Sequence, residues 1–457
     1  MERAAIAVIG AGVVGSAVAC ALAREGHSVV LVDRAEPGLG GASFGNVGHI
    51  AAELVEPLPS PALLFGFWKQ LIAFGGPLDL PLRRVPGMLP WIARFASAAF
   101  RREENTKWLA PLVRASRPTL ERCLREIGRS DLLRCNGHYE IWLNERALES
   151  ARTQARVMER LGVPTEVAPP DLLESAARAV RSSGSGSRAS HEAAGLWFPE
   201  SGHVADPLEV VRAFAAAAAA QGAEIRRADV RAIEVAGNGL RIVARATNGA
   251  TAQSTGLVPP PAAETSRDTS HPAVAPSTAD SALAATRFDA LVVCAGAWSR
   301  ALLEPFGLKV PMQVARGYHI EIPGHTALVD APIVYSDHSL LVTPMAGRLR
   351  CSTYMEFAAP DAPADARKPR RLREKVRAVG YDCPLEGPSW VGPRPVLPDY
   401  LPGIGRLPAG SPNVFYAIGH QHIGLTLAAV TGDLVADLVA ERTPRHDVSA
   451  FDLRRFG

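Results

Sequence analysis

The first residues whose types and spacing could do chemistry are Gly10-Ala11-Gly12-Val13-Val14-Gly15. The apolar run 5–9 precedes them and reads as a buried strand. Val13 to Arg24 follows and reads as a helix that Gly26 ends. In that setting Gly10 permits a tight turn, Gly12 lets a pyrophosphate approach the backbone, and Gly15 lets helix and strand pack closely. The helix start at Val13 and Val14 offers unpaired N–H groups and a partial positive charge to phosphates. A second apolar run, 28–32, leads to Asp33, 23 residues after Gly10. A carboxylate there accepts ribose hydroxyls. It argues against a 2′-phosphate, although Arg34 follows it.

A glycine motif of this kind serves FAD and NAD alike. Three features favour FAD. The motif stands at the N-terminal end of the sequence. A second Gly/Ser-rich loop at 38–50, GLGGASFGNVGHI, follows the ribose acid and suits a long cofactor; it carries Ser43, Asn46, Gly48 and His49. Only one such motif exists, so a separate nicotinamide site is not expected.

These residues need a large α/β frame. The chain has 457 residues, 47% hydrophobic and 21% charged, enough for a sizeable core without disulfides or metals. A net charge of +3 gives no case for a nucleic-acid partner. Six scattered cysteines lack zinc spacing and fit a cytoplasmic compartment. No export signal and no uninterrupted apolar stretch of membrane-spanning length are expected.

Further along, 107–128 and 145–162 read as amphipathic helices, with a strand at 138–143 between them. Residues 182–190 read as a flexible insert. Asp206, Pro207 and Glu209 mark a helix start with a capping box, and that helix runs to Gly222. Strands are expected at 224–227, 230–236, 239–246 and 289–294. Residues 247–286, dominated by Ala, Pro, Ser and Thr, read as a disordered insertion. Antiparallel strands are expected over 313–357, a buried strand at 414–418 and a helix at 425–440.

Taken with the stretches SFGNVGHI (43–50), FPESGHVADP (198–207), VVCAGAWS (292–299), ARGYHIEI (315–322), WVGPRPVLPDYLPGIGR (390–406) and GHQHIGLTLAAVTGDLVADLVA (419–440), the sequence resembles the D-amino acid oxidase superfamily of flavoenzymes over nearly its full length. Within it, the bacterial D-amino acid dehydrogenases and D-hydroxyproline dehydrogenases are the most similar. The resemblance implies an α/β FAD-binding domain around a Rossmann-like parallel sheet, interleaved with an α+β substrate domain whose antiparallel sheet roofs the flavin. The expected division is 1–56, 200–312 and 388–457 for FAD, with 57–199 and 313–387 for the substrate.

The resemblance further implies cofactor contacts from Ser43 and Asn46, from Val230 through its backbone, and from Gly296 and Ala297. It places the helix start around Gly419, Gly424, Leu425 and Thr426 at the pyrimidine end of the flavin. N–H groups there would stabilise negative charge on the reduced ring. Arg394 matches the family arginine that grips a substrate carboxylate, a task suited to its planar fork. Where related amine oxidases often carry a second arginine, this chain has His422. It could bind the carboxylate or a hydroxyl, or only shape the pocket. Tyr318 and His319 sit on one roof strand, so alternation lets one of them face the pocket. Tyr335, His338, Tyr354 and His49 are further candidates. Cys351 and Cys383 do not form a trusted attachment pattern, so FAD is expected to be non-covalent.

The implied reaction is oxidation of a small D-amino acid, with D-proline or cis-4-hydroxy-D-proline leading and glycine or sarcosine as the rival. A role as the flavoprotein subunit of a larger dehydrogenase complex is the other alternative. Hydride passes from the substrate α-carbon to flavin N5, and the electrons go on to a quinone or respiratory chain, or to oxygen. Residues 57–100, with Phe65, Phe67, Trp68, Phe74, Trp91 and Phe95 among basic residues, read either as a lid or peripheral membrane contact, or as a helical cap.

Overall fold

The computed structural model describes residues 3–182, 192–237, 239–245, 283, 285–324 and 328–457. The expected inserts at 182–190 and 247–286 lie almost wholly outside the described residues.

The nucleotide sheet has six strands in the order Glu224–Arg227, Ser28–Asp33, Ala5–Ile9, Ala290–Val293, Val414–Ile418, Gly403–Arg406. The first five run parallel and the last is antiparallel. The central strands are apolar throughout because both faces are covered, one by long helices and the other by the hairpin of strands Asp229–Ala236 and Gly239–Arg245 with the short helix Ser299–Leu303. Ile9 pairs with Val32 on one side and Val293 on the other. This register brings Gly10, Asp33 and Cys294 to one edge, the carboxyl ends where open α/β sheets take ligands.

Helices Val13–Arg24, Pro207–Ala220 and Gly424–Val439 pack on this sheet in one core. Small residues allow the close approach: a Cβ on Gly432 would lie 2.9 Å from the Ala17 carbonyl oxygen. Asp206 caps its helix as expected, accepting from Leu208 N–H at 2.9 Å. The capping box is not completed, because the Glu209 carboxylate pairs with Arg212 at 3.0 Å.

The roof is a nine-stranded sheet. Its path is Ser389–Val396, Gln313–Pro323, Arg348–Phe357, Leu340–Met345, Ile333–Tyr335, His138–Trp142, Ala194–Phe198, Glu166–Val167, with Leu78–Asp79 beside Arg348–Phe357. The expected antiparallel strands over 313–357 are present, but Ile333–Tyr335 pairs in parallel with His138–Trp142. A short three-stranded sheet joins His49–Ile50, Gly202–Val204 and Leu133–Arg134.

Two expected boundaries move. Ser389–Val396 belongs to the roof, hydrogen-bonded along Gln313–Pro323 from Val396 to Ser389. The change of side therefore comes after residue 396, not at 388. Helix Arg102–Glu126 keeps Pro111 and Pro118 within it, packs its apolar face on Gly424–Val439 and reaches Val13–Arg24 through the Arg24–Glu126 ion pair at 2.6 Å. Amphipathicity showed that this helix has a buried face, but not which sheet covers it.

The 57–100 segment splits between two roles. Trp91 is buried, stacks on Phe95 at 5.2 Å and donates from Nε1 to the Val396 carbonyl, so this part is a cap on the roof. Helix Pro61–Gln70 has no buried residue, and Phe65 is 80% exposed. The side chain of Phe74 lies outside the described residues.

Candidate active site

A cavity of about 1100 Å³ runs from the edge of the nucleotide sheet to the underside of the roof. It is larger than the usual range of about 300–1,000 Å³ for small-ligand pockets, as a dinucleotide plus a substrate requires.

At the nucleotide end, Gly10 has φ 107°, and a Cβ there would lie 2.4 Å from the Cys294 carbonyl oxygen, so the turn demands glycine. A Cβ on Gly15 would lie 1.8 Å from the Gly10 oxygen, the tight packing expected of that position. Gly12, Val13 and Val14 line the cavity, and the Ser43 hydroxyl accepts from Val13 N–H at 2.9 Å. Asp33 accepts from Ala11 N–H at 2.7 Å and Ala35 N–H at 3.0 Å. Burial pushes its carboxyl up, and these N–H groups oppose that shift. Arg34 stacks on Trp298 at 3.7 Å and donates to the Gly40 carbonyl. Val230, at a bulge in its strand, and Gly296 and Ala297 complete this end of the wall.

At the roof end, Asn46, His49, Gly419, Gly424 and Leu425 line the cavity. Helix Gly424–Val439 starts here without a side-chain cap, and Gly424 and Leu425 of its first turn line the cavity. Gly15, Gly48 and Thr426 do not line it. A Cβ on Gly48 would collide with the Val204 oxygen at 2.5 Å, and the Thr426 hydroxyl accepts from Ala51 N–H at 3.1 Å. Their positions explain local packing.

Arg394 lines the cavity and is held by one bond, from Nη1 to the Tyr354 carbonyl at 3.1 Å. No carboxylate pairs with it among the described residues. Burial lowers its pKa to about 10, and nearby Tyr400 opposes that shift. His422 is beside it. His422 is exposed in the cavity wall, and enclosure by that wall, then the charges of Arg394 and His49, lower its pKa. Tyr354 also lines this end.

The expectation that Tyr318 or His319 faces the pocket is not met. Alternation does put them on opposite faces, but neither face opens into the cavity. The Tyr318 hydroxyl donates to Glu356 at 2.8 Å inside the roof core. His319 Nδ1 lies 3.0 Å from the Gly45 carbonyl oxygen, and its ring stacks on Trp390 at 5.0 Å. His319 therefore fixes the flavin loop from behind. Tyr335 and His338 also lie outside the cavity, as do Cys351 and Cys383.

Sequence reading missed several residues. Arg350 is buried, pairs with Glu321 and donates to the Phe44 and Asn46 carbonyls, tying the flavin loop to the roof. Gly317 makes room for Arg394. Glu53 lines the cavity, and His138 stands behind it. The spacing of His49 and Glu53, four residues apart, was a visible signal; His138 comes from a distant strand and gave none.

The residues fit FAD. The glycine turn, the ribose acid and two helix starts line one continuous cavity long enough to hold both halves of it. The comparisons agree. A family model described as "DAO: FAD dependent oxidoreductase" matches residues 5–438. The chain is 29% identical over 464 residues to a D-amino-acid oxidase from Bradyrhizobium diazoefficiens, covering 99% of this chain and 98% of that protein. It is 29% identical over 468 residues to a D-amino acid dehydrogenase from Paramagnetospirillum magneticum, with 99% and 98% covered. Among solved structures, glycine oxidase from Geobacillus kaustophilus matches with a TM-score of 0.67 at 19% identity, covering 99% of each chain. L-proline dehydrogenase from P. horikoshii matches with a TM-score of 0.66 at 16% identity, covering 100% of this chain and 98% of that one. These last two likenesses concern the fold alone. With its dinucleotide turn, its roofed cavity and a family match over most of its length, the chain belongs to the DAO family of FAD-dependent oxidoreductases.

Proposed function

We propose that this protein oxidises the Cα–N bond of a small D-amino acid, with D-proline or cis-4-hydroxy-D-proline as the leading substrates. One observation carries the substrate class: Arg394 is a half-buried cation with no acidic partner among the described residues, in the wall of the FAD cavity. A planar guanidinium left without an anion on a cavity wall matches a substrate carboxylate, which can take two parallel hydrogen bonds from it. The D-amino acid activities named for the two sequence relatives support the same class.

FAD, bound non-covalently between Gly10, Asp33, Val230 and Gly424, supplies the hydride acceptor. The chain's own residues orient the substrate. Arg394 clamps the carboxylate, His422 beside it shapes the pocket and offers a hydrogen bond, and the roof excludes water. The N–H groups at Gly424 and Leu425 face the end of the cavity where negative charge on the reduced ring needs stabilising.

The electrons pass to a membrane quinone, with oxygen as the other acceptor. Helix Pro61–Gln70 presents Phe65 and Phe67 outward, and the later short helix Leu82–Arg84 exposes Leu82 and basic Arg83. This apolar and basic surface suits peripheral contact with anionic lipid. No described helix is long and apolar enough to cross a membrane.

Anaerobic flavin bleaching tests the substrate. D-proline, cis-4-hydroxy-D-proline, D-alanine, glycine, sarcosine and L-proline are added separately to the yellow protein. Bleaching by D-amino acids alone is expected. Bleaching only by glycine and sarcosine would move the assignment to that class, and failure of all six would remove it.

A further inference from the structure

His49, Glu53 and His138 meet from two distant segments. His49 and Glu53 belong to the loop after the dinucleotide motif, and His138 opens a roof strand. Nε2 of His49 lies 3.7 Å from one Glu53 oxygen, and Nδ1 of His138 lies 3.7 Å from the other. The two imidazoles meet edge to face at 4.5 Å, and Phe198 stacks on His138 at 4.4 Å. His138 is 2% exposed. Neither of the two aimed ring nitrogens has a hydrogen-bond partner among the described residues. Ser201 donates to Glu53 at 2.7 Å. His49 and Glu53 both line the cavity.

This group sits at the substrate end. His422 feels the charges of both Arg394 and His49. A nearly buried carboxylate in the cavity wall, facing two imidazole nitrogens that have no other partner, is placed to take a proton from a group bound in the cavity. Burial tunes it: the Glu53 carboxyl is pushed up to about 7, with the Ser201 bond opposing, while His49 is pushed down to about 4. His138 and His203 are lowered too, and Glu140, held by Ser336, is raised to about 7 with Glu53 contributing. Near neutral pH the carboxyls are therefore the groups that exchange protons, and Glu53 is the one in the cavity wall.

An amino acid arrives as a zwitterion. Hydride loss from Cα needs the nitrogen lone pair, so the ammonium must first give up a proton. We propose that Glu53, flanked by His49 and His138, accepts the ammonium proton of the bound substrate. The inference rests on the amino-acid reading above. The N–H bond breaks, its electron pair stays on nitrogen, and an O–H bond forms on Glu53. The freed nitrogen pair could then close the C=N bond as the Cα–H bond breaks, its pair leaving as hydride to the acceptor that FAD would supply. The substrate loses one proton and one hydride in all.

The test uses the holoprotein and 2-aminoisobutyrate, which has no Cα–H and cannot be oxidised. Its binding is followed by the change in flavin absorbance from about pH 5.5 to 9. Ionised Glu53 is required, so affinity should rise about tenfold per pH unit up to an inflection near 7, then level off. Glu53→Gln should remove the inflection. Ser201→Ala, which deletes a bond favouring the ionised form, should move it to higher pH. Calorimetry in buffers of different ionisation enthalpy should show proton release in the wild type below pH 7 that vanishes above it. An unchanged inflection in either variant overturns the proposal while leaving the amino-acid reading intact. So does stoichiometric zinc in the purified protein, because a metal would hold the carboxylate ionised. A wild type that binds no amino acid overturns both.

Discussion

The guanidinium of Arg394 occupies the space where a side chain on Gly317 would go: a Cβ built on Gly317 would lie 1.9 Å from Nη2 of Arg394. The two residues stand on neighbouring antiparallel strands, where Ala315 pairs with Arg394 and Gly317 with Gly392. The missing side chain is what lets the arginine lie across the roof strand toward the cavity.

Gly317→Ala should therefore act like a mild loss of Arg394. The backbone can accept alanine, but the guanidinium must move by about an ångström, a misplacement that costs on the order of 10²-fold in rate. Flavin content should be unchanged. Titrating the rate of anaerobic bleaching against substrate should show a higher half-saturation concentration. Wild-type behaviour would mean Arg394 is not held by this contact.

Asp33→Ala should lose FAD. The carboxylate holds the Ala11 and Ala35 N–H groups and reaches the ribose position from the strand end. Losing a charge-assisted contact of about 1.5–3 kcal/mol weakens binding by roughly tenfold to a hundredfold. The ratio of flavin to protein absorbance after dialysis measures this, and full retention of the yellow colour would contradict it.

Glu356 should prove structural. It accepts from Arg316 at 2.8 Å, from Tyr318 at 2.8 Å and from Lys368 at 2.5 Å, all buried. Its neighbours hold its carboxyl below the ordinary value, with burial opposing. Glu356→Ala leaves buried cations short of their partner, which costs about 3–5 kcal/mol. Urea denaturation should show that loss. Tyr318→Phe should cost far less and leave substrate affinity unchanged, since Tyr318 lies outside the cavity.

Stability should fall in mild acid. Burial holds His49, His203 and His420 each near 4, below the ordinary 6.5. These side chains stay neutral in the folded state, while the unfolded chain takes up protons below about 6.5. The stabilisation is complete above that pH and is lost as pH falls toward 4. His49 alone accounts for about 3 kcal/mol. Glu53 and Glu140 work the other way: their raised pKa values favour the folded state at low pH and lose that advantage between about 4.5 and 7. The histidines, with buried His138 also lowered, outnumber them, so the melting temperature should drop between pH 6.5 and 5. A flat profile there would argue that these imidazoles are hydrated.

The sequence by itself determined what local chemistry can determine. Gly10, Gly12 and Gly15, the runs around them and Asp33 define a dinucleotide turn within about thirty residues, because its requirements are all local. Strand Val414–Ile418 and helix Gly424–Val439 were legible for the same reason: apolar periodicity and a glycine start are written along the chain. Alternation placed Tyr318 and His319 on opposite faces, but it could not say that both faces are closed. One is filled by the Glu356 cluster and the other by Trp390 and the flavin loop. Only tertiary structure decided that Gly317 clears a path for Arg394, that Arg350 ties down the flavin loop, and that His138 completes the pair His49 and Glu53. Each depends on which strands become neighbours. That choice is made by burial summed over the whole sheet, and no short stretch of sequence carries it.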